Sequence, residues 1–122
     1  MRTLALIAGL LLAACATPPP PSYDPRVILT PAVAPLGFSP PAVTTSRDGR
    51  LQVTINVANN LAGDFPLRIQ TDWLSESGRP IQSLQSRPQQ LLVPRNGAAV
   101  ITGDAPNNRV RDFRMQIDLD SP

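Results

Sequence analysis

The feature that most restricts the fold of this chain is a two-residue alternation of apolar and polar side chains. It recurs in three segments, at residues 51–57, 67–73 and 113–119. A β-strand places successive side chains on opposite faces, so each segment would bury one face and expose the other to water. No window of ten residues shows a clear helical period. The sequence therefore predicts an all-β fold in which Trp73, by its phase, belongs to the core.

Shorter apolar segments and turn signals predict the rest of the fold. We expect further short strands at residues 26–30, 43–46, 80–84, 90–93 and 98–102. Residues that tolerate positive φ separate the strands, and they are Asp48-Gly49, Asn59-Asn60, Ala62-Gly63, Ser77-Gly78, Asn96-Gly97 and Asn107-Asn108. About seven or eight strands in one unit, residues 26–122, predict an immunoglobulin-like antiparallel β-sandwich. A β-barrel remains an alternative.

The amino-terminal residues are typical of a secretory signal peptide. Arg2 supplies a positive start, and residues 4–14 form an uncharged, largely apolar run that ends in small side chains. At about 1.5 Å per residue this run reaches only about 17 Å, well short of the roughly 30 Å hydrocarbon core of a bilayer. We therefore expect residues 1–14 to direct export and to be removed, rather than to form a permanent membrane span.

The end of this segment resembles the lipobox of bacterial lipoproteins. Leu12-Ala13-Ala14-Cys15 has the leucine, the two small residues and the cysteine of that motif, and the chain contains one cysteine. The resemblance implies that Cys15 is lipidated, becomes the first residue and carries three acyl chains, which are enough for lasting membrane attachment. Because Ala16 rather than aspartate follows, it also implies sorting to the periplasmic face of the outer membrane. The alternative is an ordinary cleavage site with an incidental cysteine.

A proline-rich stretch separates Cys15 from the predicted domain. Residues 15–25 include the four consecutive prolines Pro18 to Pro21. Proline fixes φ and removes a backbone donor, so this stretch favours an extended polyproline II conformation. We interpret residues 15–25 as a tether and place the start of the β-domain at Arg26.

Composition excludes most catalytic chemistry. The chain has no histidine, no lysine and one cysteine, which excludes imidazole and lysine bases, Cys/His zinc sites and an internal disulfide. Asp118 with Asp120, and Asp72 with Glu76, are interpreted as solvated strand-edge charges rather than as catalytic pairs. We expect a non-enzyme without cofactor or metal. The formal charge of +2 gives little reason to expect nucleic-acid binding.

Arginines supply the candidate binding surface. By their phase, Arg68 and Arg114 project from the polar faces of two predicted strands. Arg111, together with Arg109, lies on the approach to the last strand. If those strands were neighbours, the guanidinium groups would meet carboxylates of peptidoglycan stem peptides, lipid phosphates or an acidic partner surface. The alternative is a set of solvated cross-strand pairs with Asp72, Asp112 and Asp118.

Several motifs follow one another in order across about two thirds of the predicted mature chain. They are Asn59-Asn60, Arg68, Trp73 followed by Gly78, Pro94 before Asn96-Gly97, Ala105-Pro106-Asn107 and Asp112-Phe113-Arg114. This order resembles the YcfL family, small outer-membrane lipoproteins of Gram-negative bacteria whose biochemical role is uncharacterised. Ser75 and Ser86 stand where that family usually has an acidic and an aromatic residue, so the chain resembles a divergent member. The resemblance implies an immunoglobulin-like sandwich and no catalytic residues.

Together these features predict a lipoprotein of the outer membrane that binds another envelope protein or peptidoglycan and catalyses no reaction. Strand addition at an open sheet edge is the expected mode, because main-chain hydrogen bonds need no special side chains. In several bacteria, genes of the resembled family neighbour those for activators of peptidoglycan synthases, which by analogy favours a role in envelope assembly. The alternative is a structural component of a secretion or pilus apparatus.

Overall fold

Eight β-strands make up about half of residues 24–121, the part of the chain that the structure, a computed structural model, describes. The strands are β1 (Val27–Leu29), β2 (Gly37–Phe38), β3 (Ala42–Thr45), β4 (Leu51–Asn59), β5 (Phe65–Leu74), β6 (Gln89–Val93), β7 (Gly97–Asp104) and β8 (Asp112–Leu119). Short 3₁₀ turns lie at Pro31–Val33 and Leu84–Ser86. The predicted signal peptide, Cys15 and all of the predicted tether except its last two residues lie outside the described residues.

The strands form two sheets. One has the order β1-β8-β5-β6, and the other is centred on β4, with β7 along one edge and both β2 and β3 along the opposite edge. All pairs are antiparallel except β1 with β8, which is parallel. The pairing of β4 with β7 and of β5 with β8 corresponds to the B–E and C–F pairs of an immunoglobulin-like sandwich. The sandwich prediction is confirmed, and the barrel alternative is wrong.

The core lies between the predicted apolar faces of the three long alternating segments. The side chains that are at most 1% exposed in these strands are Val53, Ile55, Val57, Leu67, Ile69, Trp73, Phe113, Met115 and Ile117. Trp73 and Phe113 are direct cross-strand partners, with ring centroids 6.4 Å apart and planes tilted by 56°. This tilted contact is favourable for aromatic pairs. The prediction that Trp73 is a core residue is confirmed.

The observed short strands differ from the predicted ones in two places. Residues 80–84 do not form a strand: Pro80 makes a single bridge to Leu74, and the segment then turns at Leu84–Ser86. Proline lacks the N–H that pairing in a sheet needs. Leu84 is 72% exposed, so this apolar residue does not mark a buried strand. Strand β2 was not expected, because its two residues lie within a proline-rich stretch that gives no alternating pattern.

The predicted turns place residues with positive φ at three positions. They are Gly49 (φ 85°), Gly78 (φ 81°) and Asn96 (φ 49°). At Gly97 the requirement is different, since a Cβ there would lie 2.9 Å from Cγ of Pro94. Pro94 and Gly97 therefore pack tightly together in the turn that connects β6 to β7, and this turn leads from one sheet to the other. Much of the motif order that carries the family resemblance thus has a structural role.

Candidate functional site

The outer face of the β5–β8 pair carries the predicted arginines in alternation with carboxylates. Arg68 lies directly opposite Asp118, and Arg114 lies directly opposite Asp72. Both arginines are exposed, and four strand positions separate their rows, about 13 Å at 3.3 Å per residue. Opposite charges in directly facing positions stabilise a sheet modestly. The register therefore matches the cross-strand pairing alternative for these two arginines.

Asp118 is further engaged by its own neighbours. The Thr30 hydroxyl donates to its Oδ1 at 2.7 Å, and the Leu119 N–H donates to the same oxygen at 2.7 Å. These hydrogen bonds, with a smaller contribution from the charge of Arg68, hold the pKa of Asp118 below its usual range. One oxygen of this carboxylate is thus engaged within the sheet.

Arg111 does not join Arg68 and Arg114 on the outer face. It lies in the loop before β8, where its N–H donates to Leu74 O at 2.9 Å and its Nη1 donates to the carbonyl oxygens of Asn108 and Val110. Arg109 and Arg111 line two adjoining grooves of about 510 and 470 Å³ at this end of the sandwich. The guanidinium of Arg111 is therefore partly used to shape its own loop.

Arg26, to which the sequence assigned no role, closes the β1 side of the sandwich. Its Nη2 lies 2.7 Å from Oδ2 of Asp24, and its Nη1 lies 3.3 Å from Oδ1 of Asp112. Its guanidinium carbon sits 4.6 Å from the centroid of the Phe113 ring, within the range of a cation–π contact. Hydrogen bonding to Arg26 lowers the pKa of Asp24, while hydrogen bonding to Asp24 raises the pKa of Arg26. We call this group of four residues the Arg26 clamp.

Asn59 fastens the loop after β4 to the end of β6. It is fully buried, and its Nδ2 donates to Gly63 O at 3.0 Å and to Val93 O at 3.1 Å. Its Oδ1 accepts from the Leu61 N–H at 2.9 Å. The sequence signalled Asn59 as a turn residue, but its link to Val93 depends on a pairing between distant segments that no local pattern reveals.

The edge strands differ in how much backbone they offer. β1, β2, β3 and β6 contain between two and five residues, and short edges give another chain little to pair with. β7 contains eight residues, and among the described residues all of its ladder partners lie on β4. Its one charged residue is Asp104 at its end, and Val100 near its centre is 50% exposed. β7 is therefore the longest edge, with one side of its main chain unpaired in the described chain.

A groove of about 340 Å³ lies beside β7, between the two sheets. We call it the Trp73 groove. Trp73 and Thr71 of β5 line it from within, Gly103 and Asp104 of β7 line one side, and Leu84 and Arg87 line the other. The groove exists at this position because β6 begins only at Gln89, so that a non-strand segment faces the last part of β7.

Trp73 has a buried polar atom without a partner. Its side chain is 1% exposed, and its Nε1 has no hydrogen-bond acceptor among the described residues. A Cβ at Gly103 would lie 3.4 Å from Cζ2 of Trp73. Gly103 therefore packs against the six-membered ring of the indole, and Trp73 is one of the residues that line the groove. An unsatisfied buried donor costs about 1–3 kcal/mol.

No helix within residues 24–121 is long and apolar enough to cross a membrane. No protein-family model and no curated protein matches the chain.

Two solved structures have a similar fold. Cj0090 of Campylobacter jejuni superposes with a TM-score of 0.64 at 19% identity, over 80% of this chain and 100% of that one. A DUF1425 family member from Shewanella sp. PV-4 superposes with a TM-score of 0.60 at 13% identity, over 71% of this chain and 80% of that one. The chain therefore shares its sandwich with small bacterial proteins, one of them from a family named only by a domain of unknown function.

Proposed function

We propose that this chain is a lipid-anchored, non-catalytic binding module of the bacterial cell envelope, attached through Cys15 to the periplasmic face of the outer membrane. The observation that carries the binding role is the eight-residue edge strand β7, whose main chain is paired on one side only among the described residues. A natural sandwich usually shortens, charges or covers such an edge. An extended segment of an envelope partner adds to β7 and continues the sheet.

The anchor part of the proposal is supported by Leu12-Ala13-Ala14-Cys15 and the proline-rich residues after it. A tether of about ten residues in polyproline II conformation reaches about 30 Å from a bilayer. We further propose that the chain is a divergent member of the YcfL-like family. Its fold, shared with small bacterial proteins, agrees with this assignment.

The two arginines on the outer face contribute less to the proposed binding role. Arg68 and Arg114 each lie opposite a carboxylate in the register of the neighbouring strand, an arrangement that is common on the solvated face of a sheet. We therefore assign partner recognition to the β7 edge rather than to this face.

Crosslinking in intact cells tests the proposal. A photoreactive residue replaces Val100 on β7 in the full-length chain, and a matched control carries it at Gln116, which is exposed on the outer face of the other sheet. We expect a crosslink to an envelope protein, identified by mass spectrometry, from position 100 and not from position 116. Equal yields from both positions, or no crosslink from position 100, contradict edge binding.

The anchor is tested separately with Cys15→Ser in the same full-length chain. This substitution removes the thiol that would carry the lipid, so we expect loss of acyl labelling and of outer-membrane fractionation. Unchanged labelling would exclude Cys15 as the lipidation site. Capture of secretion or pilus components instead of cell-wall proteins would favour a structural role in such an apparatus.

A further inference from the structure

The Trp73 groove is lined by a residue whose buried hydrogen-bond donor has no partner among the described residues. Nε1 of Trp73 is buried and lacks an acceptor among the described residues. Thr71, which also lines the groove, is only 7% exposed. Buried polar groups in native proteins are nearly always hydrogen-bonded. An exception that lines a groove indicates that a ligand supplies the missing acceptor.

The charges around the groove favour an acceptor that is negative. Arg87 lines the groove, and its guanidinium makes no ion pair with any described residue. Asp104 also lines it, but Oδ1 of that carboxylate already accepts from Nε2 of Gln52 at 3.1 Å. On β7, Ile101 and Gly103 face the core, so the side chain of Asp104 projects from the opposite face of the sheet. Arg87 is therefore the charged side chain considered as a ligand contact at the groove, and guanidinium groups bind carboxylates strongly.

The shape of the groove favours an extended polypeptide. Its β7 wall is formed by the last residues of the edge strand, where Gly103 packs closely against the indole of Trp73. A strand paired to β7 would point alternate side chains toward the core side of the sheet. One of these side chains would then enter the groove and reach the indole.

We infer that the Trp73 groove is the specificity pocket of the β7 edge, and that it takes an acidic side chain of an extended partner segment. The carboxylate accepts hydrogen bonds from Nε1 of Trp73 and from the guanidinium of Arg87, while the main chain of the segment pairs with β7. This inference rests on the proposed function, because it assigns to the same edge the chemistry by which a partner is chosen.

The test uses the single tryptophan of the chain as a reporter. The full-length protein in detergent micelles gives one indole N–H resonance, and the amide resonances of Thr102 and Gly103 report on β7. The probe is the peptide Thr-Val-Glu-Val-Thr with both ends capped, chosen for its strand propensity, and the control peptide has lysine in place of glutamate. We expect the glutamate peptide at millimolar concentration to shift the indole and β7 resonances, and the lysine peptide to leave them unchanged.

Three variants sharpen the test. Arg87→Gln and Trp73→Phe each remove one donor, and we expect each to weaken peptide binding about tenfold or more, since a hydrogen bond to a charged group is worth about 1.5–3 kcal/mol. Arg47→Gln, an equal change of charge in the turn before β4, should bind as the wild type does. Dispersed amide spectra of all three variants establish that they are folded.

The remaining outcomes separate this inference from the proposed function. No resonance shift with the glutamate peptide, or equal shifts with the lysine peptide, overturns the pocket. Shifts caused only by a peptidoglycan stem peptide overturn it as well, because the groove then reads a cell-wall fragment. If the in-cell crosslink from position 100 persists while the pocket fails, edge binding stands without this specificity. If both are lost, the proposed binding role falls.

Discussion

Trp73 and Phe113 are cross-strand partners on β5 and β8. The polar groups beside Phe113 have partners within the chain, whereas those beside Trp73 do not all have them. On the β1 side, the Arg26 guanidinium lies 4.6 Å from the Phe113 ring centroid and binds the carboxylates of Asp24 and Asp112. On the β7 side, the indole Nε1 of Trp73 has no acceptor among the described residues and borders an open groove. At the β1 edge the chain supplies partners for its own charged groups, whereas at the β7 edge a buried donor has no acceptor among the described residues.

The difference separates stability from binding. Every charged group of the Arg26 clamp has a partner, so this edge offers a ligand little that the protein does not already supply. The β7 edge combines a strand that is paired on one side, an arginine without an ion pair among the described residues, and a buried donor without an acceptor among them. The buried donor carries an energetic cost, and the open edge is a template for pairing with another chain. Locally unfavourable features of this kind are expected mainly at functional sites.

The largest expected effect is on the aromatic pair itself. Trp73→Ala should lower the free energy of unfolding by about 3–5 kcal/mol, because it removes a fully buried ring and leaves a cavity. Urea denaturation followed by far-UV circular dichroism measures the change. A loss below about 1 kcal/mol would mean that the ring contributes little packing and that the groove extends through its position.

Asn59, which links the loop after β4 to the end of β6, provides the next test. Asn59→Ala should cost about 2–3 kcal/mol, because it removes three hydrogen bonds and leaves the buried Val93 carbonyl without its side-chain donor. The same denaturation assay measures it. Asn60→Ala is a matched control, since Asn60 is exposed, and an equal loss in that control would show that Asn59 acts only through turn propensity.

The Arg26 clamp should contribute less than either buried residue. Arg26→Ala is expected to cost about 1–2 kcal/mol, from partly exposed ion pairs of about 0.2–1 kcal/mol each and a cation–π contact of about 0.5–1 kcal/mol. Arg26→Lys keeps the charge but loses the two-pronged hydrogen bonding to Asp24. Its free energy of unfolding should therefore lie between those of the wild type and of Arg26→Ala. An effect that is unchanged in high salt would exclude the ionic part of the clamp.

The clamp also predicts a pH dependence. Hydrogen bonding to Arg26 lowers the folded-state pKa of Asp24, so the stabilisation it reports is present above the unfolded value of about 3.9. It is lost as the pH falls from about 4 through the lowered folded pKa. The difference in free energy of unfolding between wild type and Arg26→Ala should therefore shrink between pH 6 and acidic pH. A constant difference would show that Asp24 does not depend on Arg26.

Local patterns predicted the sandwich well because burial on one face imposes the two-residue alternation of β4, β5 and β8. They failed at residues 80–84, where Leu84 is exposed and pairing with β5 is limited to a single bridge between Pro80 and Leu74. The Arg26 clamp was out of reach, since Asp112 lies 86 residues away and only the parallel pairing of β1 with β8 brings it close. The Trp73 groove was out of reach for the same reason: it depends on where β6 begins relative to β7.

The smallest expected effect concerns the packing of Gly103 on β7 against the indole of Trp73. In Gly103→Ala the added Cβ would lie 3.3 Å from Cη2 of Trp73 and 3.6 Å from Cε of Met115, a tight fit against a ring that has a groove on one side. Crowding lowers stability, while the loss of glycine freedom in the unfolded chain raises it by about 0.4–1 kcal/mol. We expect a net loss of about 1 kcal/mol or less, with a changed tryptophan emission maximum because the ring is displaced. A net gain with unchanged emission would mean that the indole already has the space it needs, and the β7 edge would then be looser than its packing against Gly103 indicates.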